Sequence, residues 1–143
     1  MKEQEYITIK LEDLKEFEDN PRKISKTELE KLKKSLNHFG YVEPIIIDEY
    51  NKIIGGHQRV KALKEMNIQI PIKAIKIKNY TEDEKKALNL ALNKMGGEFD
   101  LEKVETWLEE LKENEFDIEL TGFDDLEIDG ISKTVNKKLL TEE

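Results

Sequence analysis

An apolar strand that runs into two glycines and straight on into a helix restricts the fold of this chain more than any other feature of its sequence. The stretch is Ile53-Ile54-Gly55-Gly56-His57-Gln58-Arg59-Val60. Glycine lets the backbone turn sharply and approach a ligand closely, and the first N–H groups of a helix point out of its end with no helical carbonyl to receive them. Those amides and the helix dipole favour negative charge, and Arg59 adds a forked, fixed positive charge. The local pattern is that of an anion site, read here as a site for a nucleotide or phosphate. The competing reading is a plain turn: glycines ending a strand, an exposed histidine and a surface arginine.

At 143 residues the chain suits one domain of ordinary size, able to bury a core without covalent staples. It has no cysteine and two histidines. Disulfides, thiolate metal sites and thiol catalysis are therefore excluded, and no metal site is assigned. No apolar run approaches the roughly 20 residues that cross a bilayer, and Met-Lys-Glu-Gln-Glu at the start lacks the apolar core of a signal peptide, so a cytoplasmic location is expected. The net charge of −8 conceals an asymmetry: residues 1–80 carry 16 Lys+Arg against 13 Asp+Glu, and residues 81–143 carry 8 against 19. An acidic surface repels phosphodiester backbones, so nucleic-acid contact is expected only on the first half and a protein partner on the second.

Along the chain, Tyr6 to Lys10 reads as a first strand. Ser25 and Glu28 form a capping-box pattern ahead of Leu29, Leu32, Leu36 and Phe39 at helical spacing, and Gly40 ends that helix. Val42 to Asp48 and Ile53-Ile54 read as a hairpin turning near Glu49-Tyr50-Asn51-Lys52. A helix from His57 to about Met66 follows, stopping near Asn67. Ile70 to Ile77 reads as a strand, placed at or near an edge by Pro71. Thr81 and Glu84 open another helix that breaks at Met95-Gly96-Gly97, and Asp100 caps one carrying Leu101, Val104, Trp107, Leu108 and Leu111 on one side. The expected fold is α/β (α+β), a small mixed sheet flanked by helices. Its core spans 1–80, helices over 81–128 are added to it, and 129–143 trail off as a flexible tail where apolar density falls.

Taken in order, Asn20-Pro21-Arg22-Lys23, Leu29 through Phe39-Gly40, Val42-Glu43-Pro44-Ile45-Ile46 and Ile54 through Leu63 resemble the N-terminal domain of the ParB/sulfiredoxin superfamily, over roughly residues 6–112. Ala87 through Lys94 and Leu120-Thr121-Gly122-Phe123-Asp124 look like the phage and mobile-element ParB-like domains often associated with DNA methyltransferases. The resemblance implies that Gly55, Gly56, His57, Gln58 and Arg59 hold nucleotide phosphates, with Gly40 to Ile45 lining the rest of the pocket. It also implies that Asn93 and Lys94 meet the nucleotide and that Asn20 and Arg22 begin a loop closing over it. The implied ligand is a nucleoside triphosphate, CTP or ATP, with Mg2+ as its companion. Segregation proteins of this superfamily usually carry Gln where Glu43 stands and an acidic-basic pair where His57 and Gln58 stand, so the base is left open. Sulfiredoxins use a cysteine in their Gly-Gly motif, and this chain has none.

Three function classes remain. The first is a nucleotide-binding module, with slow turnover or none, acting with DNA-modifying or DNA-processing proteins of a phage or mobile element. The second is an enzyme: an NTPase or phosphotransferase such as the superfamily's free-serine kinases, ahead of a nuclease. Glu43 would be the base, Arg59 and Lys94 the cations, and His57 an acid–base or phosphate-polarising group. A nuclease would want several carboxylates converging on metal ions, and Glu43, Asp48 and Asp19 form no obvious cluster. For Glu43 the alternative is a solvated carboxylate at a strand start. The third class is weak, salt-sensitive DNA binding through Lys31, Lys33, Lys34, Lys61 and Lys64, diluted by Glu28, Glu30 and Glu65. His38 lies off the leucine stripe and reads as a surface residue.

Overall fold

The computed structural model describes residues 1–17, 22–94 and 98–141, with backbone alone for 22–23, 98–99 and 140–141. The protein is α+β, with a four-stranded sheet, a two-stranded sheet and five helices among the described residues. Two compact units are present: the described residues of Met1–Glu18 and Ile24–Thr81, and those of Asp19–Lys23 and Glu82–Glu143.

The first unit holds strands β1 (Glu3–Ile9), β3 (Ile45–Ile47), β4 (Ile53–Gly55) and β5 (Ile72–Lys78), with helices α1 (Lys26–Phe39) and α2 (His57–Glu65). The strand order is β1-β5-β3-β4; β5 runs antiparallel to β1 and parallel to β3. The edge position expected for β5 is therefore corrected: it is central. Pro71 stands one residue before the strand, so its missing N–H removes no ladder bond. Ile9, Ile45, Ile47, Ile53, Val60, Leu63, Ile72 and Ala74 make one buried cluster, with Leu36 and Tyr41 packed against it.

The helix ends follow the expected chemistry. Ser25 Oγ accepts the Glu28 N–H at 3.1 Å and opens α1. Of the leucine stripe, Leu29 is buried and Leu36 half-buried, but Phe39 is 69% exposed and meets the His38 ring edge-on at 4.6 Å. Phe39 is the last helical residue, and Gly40, at φ +83° and ψ −178°, turns the chain out of the helix in a conformation open only to glycine. Asn67, at φ +58°, stops α2 as expected.

In the β3–β4 hairpin the carboxylate of Asp48, 1% exposed, accepts the Tyr50 and Lys52 N–H groups at 2.9 Å each. The register passes from Ile46↔Gly55 to Ile47↔Ile53, which leaves Ile54 as an extra residue on β4. Such a bulge re-aims the strand that carries it, here immediately before the glycine turn.

In the second unit β2 (Arg22–Lys23) pairs with β6 (Glu98–Phe99), and α3 (Glu82–Asn93), α4 (Leu101–Glu113) and α5 (Asp125–Thr141) pack together. Asp100 caps α4, and Val104, Trp107, Leu108 and Leu111 are buried as the stripe requires, while Leu101 stays exposed. The Leu120 to Asp124 motif ends a 3-10 turn over Ile118–Thr121. Thr121 Oγ1 donates to the Ile118 carbonyl and accepts the Phe123 N–H, and Asp124 Oδ1 accepts the Glu127 N–H at the start of α5. Residues 129–141, which composition reads as a tail, belong to α5. Ile128 and Val135 lie two helical turns apart on one face and are both buried.

Candidate functional site

The glycine turn takes the form its sequence demands. Gly56 is the N-cap of α2, left-handed at φ +98° and ψ 20°, and no side chain caps the helix there. Its carbonyl accepts the Val60 N–H at 3.0 Å, the first bond of α2. The amides of His57, Gln58 and Arg59 thus occupy the first turn, where a helix supplies no carbonyl of its own. A Cβ on Gly56 would fall 2.6 Å from Ile45 Cγ2, 3.2 Å from Ile45 Cβ and 3.0 Å from Arg59 Nη2. Only glycine fits, for two separate reasons: the backbone is left-handed, and β3 and the guanidinium crowd the Cα.

Arg59 is therefore folded back over the start of its own helix, its side chain 20% exposed. Its Nη1 donates to the main-chain carbonyl of Glu43 and lies 3.5 Å from Glu43 Oε2. The Glu43 side chain is 79% exposed. The loop that presents it is pinned by Tyr41, whose hydroxyl donates to the Lys73 carbonyl and accepts the Ile45 N–H, both at 2.7 Å. One phenol thus extends the parallel β3–β5 ladder by a hydrogen-bonded step and fixes where Glu43 stands. Burial pushes the Tyr41 phenol above its ordinary value, and donation from the Ile45 N–H pulls the other way. His57 Nε2 faces Glu16 Oε2 at 3.8 Å, the imidazole being 9% exposed and the carboxylate 80%. Glu16 is carried by a segment that runs beside β4: the Lys15 N–H bonds the Asn51 carbonyl and the Lys15 carbonyl accepts the Ile53 N–H.

The structure thus gathers Gly55, Gly56, His57, Gln58 and Arg59 at one corner, together with Glu43. Tyr41 and Glu16 complete it. Tyr41 lay within the expected pocket-lining segment without its bridging role, and Glu16 carried no sequence signal, because its place depends on a long-range pairing to β4. Asn20 lies outside the described residues, and Arg22 is described by its backbone alone, paired to Phe99 in the second unit. Asn93 and Lys94 also belong to the second unit. The Asn93 amide donates to the Asn89 carbonyl at 2.6 Å. Lys94 Nζ donates to the Gly122 carbonyl, sits 2.9 Å from Glu127 Oε2 and lies 5.2 Å from the centre of the Phe123 ring. Of the carboxylates weighed for a nuclease, Asp48 is occupied by its turn and Asp19 lies outside the described residues. Among the described residues no group of three or more His, Asp or Glu side chains is placed to hold a metal ion. The basic face is also narrower than its lysines imply, since Lys33 is bound to Glu30 at 3.0 Å and Glu65 at 2.9 Å.

The family described as the ParB N-terminal domain matches residues 1–94, two thirds of the chain. The chain belongs to the ParB N-terminal domain family. A curated relative, the ParB-like nuclease domain-containing protein YnaK of Escherichia coli (strain K12), is 32% identical over 76 residues, 52% of this chain and 85% of its own length. Among solved structures, a pNOB8-like ParB N-domain aligns at TM-score 0.61 and 19% identity over 80% of this chain and 47% of its own. The truncated Caulobacter crescentus ParB complexed with CTP-gamma-S aligns at TM-score 0.53 and 17% identity, covering 77% of this chain and 64% of its own. The same protein complexed to the centromeric parS site aligns at 0.57 and 14%, covering 87% and 69%. At these identities the solved structures establish the fold. The chain spans about half the length of the pNOB8-like chain. Among the described residues no helix is long and apolar enough to cross a membrane.

Proposed function

We propose that this ParB N-terminal domain is a nucleotide-binding module that holds the phosphates of a nucleoside triphosphate at the glycine turn. It acts alongside DNA-modifying or DNA-processing proteins of a phage or mobile element. The observation that carries the phosphate assignment is the Arg59 guanidinium folded against Gly56 at the N-terminus of α2. Amides and guanidinium converge on one corner, and both favour the same charge. That a Caulobacter crescentus ParB of the same fold was crystallised with CTP-gamma-S supports a nucleotide over a simple anion and CTP over ATP. The mobile-element setting rests on the resemblance of Ala87 to Lys94 and Leu120 to Asp124. The acidic residues 81–143 offer a surface for a basic partner protein, and weak DNA contact would fall on residues 1–80.

The chemistry derived from the site is binding. The His57, Gln58 and Arg59 amides would donate to phosphate oxygens, and the guanidinium would neutralise them. Magnesium would arrive with the triphosphate, held by its oxygens and by water. Titration calorimetry with CTP and ATP, each with magnesium, tests the assignment: Arg59→Ala should abolish binding while circular dichroism shows an unchanged fold. An unchanged affinity in that variant would remove the site.

A further inference from the structure

Arg59 meets Glu43 twice, and the two contacts differ in kind. The main-chain carbonyl receives Nη1–H and helps hold the guanidinium in place, whereas the carboxylate, 3.5 Å away and mostly in water, only balances its charge. We propose that Glu43 is the specificity-determining residue of the glycine-turn site: its carboxylate occupies the charge of Arg59 in the ligand-free protein and yields it to a polyphosphate but not to a single small anion. This rests on the reading of the turn as a phosphate site.

A carboxylate fixed on a short loop competes at an effective concentration in the millimolar range, with no loss of translational freedom on contact. An anion that can reach only Arg59 must displace it like for like. A polyphosphate brings several charges, and it can span the first-turn amides as well as the guanidinium, so the competitor costs it a smaller share of its binding. Release is also cheap. The Glu43 side chain is 79% exposed and has little burial to lose. The loop beneath it stays in place, held by the Tyr41 hydroxyl on Ile45 and Lys73 and by the carbonyl bond to Arg59. Exchange therefore needs a side-chain rotation and no backbone rearrangement. Glu43→Gln removes the charge but keeps the carbonyl contact and the shape, which separates competition from positioning.

The test is calorimetry of the full chain and its Glu43→Gln, Arg59→Ala and doubly substituted variants. The probes are inorganic phosphate, pyrophosphate and CTP, with magnesium present and weak binding read by competition against CTP. Glu43→Gln should tighten inorganic phosphate about tenfold and CTP by less than about threefold, narrowing the discrimination between them. In the Arg59→Ala background, where CTP no longer binds, Glu43→Gln should restore no binding. A Glu43→Gln variant that weakens CTP, or that shifts all three probes equally or not at all, overturns the proposal. If CTP binds and Arg59→Ala abolishes it, such a result removes the role of Glu43 alone. If neither the parent chain nor Glu43→Gln binds CTP while both remain folded, the phosphate reading falls and this one with it.

Discussion

Replacing Gly56 by alanine should destabilise the protein in two separable ways. An L-residue held left-handed costs roughly 1–2 kcal/mol, and the backbone at Gly56 sits at φ +98°. The added methyl would also lie 2.6 Å from Ile45 Cγ2. Ile45 is fully buried in β3, and its β-branched side chain has little rotamer freedom with which to retreat. Overpacking of this kind costs roughly 1–3 kcal/mol. The contact with Arg59 Nη2 at 3.0 Å involves the far end of a flexible chain and adds little. The expected total is about 2–5 kcal/mol, the sum of those two ranges, read as a fall in the urea midpoint followed by circular dichroism. A double-mutant cycle divides it. Ile45→Ala removes the offending methyl, so Gly56→Ala should cost about 1–3 kcal/mol less in that background, the packing share alone. A cost under about 1 kcal/mol that is equal in both backgrounds would refute both the left-handed turn and the close approach of β3.

Tyr41→Phe leaves the Ile45 N–H and the Lys73 carbonyl without their shared partner and should cost about 1–3 kcal/mol in urea unfolding. Burial raises the folded pKa of this phenol, so its contribution is fully present below the unfolded value and lost as pH rises through the folded one; ultraviolet titration should show one tyrosine ionising late, absent in the variant. Lys33 holds the Glu65 carboxyl below its ordinary value by a direct hydrogen bond. The stability of that contact is present above the unfolded carboxyl pKa and fades as pH falls through the lowered folded one. Carboxyl-carbon NMR should find Glu65 titrating low, and Lys33→Met should return it to the ordinary range.

Much of the first unit could be read from the chain because the signals are local. The Ser25 cap, the stop at Asn67 and the strand-glycine-helix junction each depend on a few neighbouring side chains. What escaped depends on partners distant in sequence. Pro71 argued for an edge, yet the position of β5 is set by β1 and β3, neither of which is its neighbour along the chain. The α5 helix was hidden by a polar composition in which Ile128 and Val135 suffice to bury one face. At the candidate site, the strand-glycine-helix turn that sets Arg59 beside Gly56 was legible from local chemistry. The engagement of Arg59 by the Glu43 carbonyl was not, since a backbone acceptor on a loop sixteen residues earlier leaves no mark in side-chain pattern. Lys94 shows the converse. Its place in the sequence resemblance raises the expectation of a nucleotide contact, and only the fold reveals its ties to Gly122, Phe123 and Glu127.

The most direct measurement is a nitrogen-proton NMR titration of the amide signals with CTP and magnesium. The His57, Gln58 and Arg59 amides, with Gly56 beside them, should show the largest shifts, and Arg59→Ala should erase them. Shifts concentrated in α4 and α5, with the first turn of α2 unmoved, would contradict the placement of phosphate at the glycine turn.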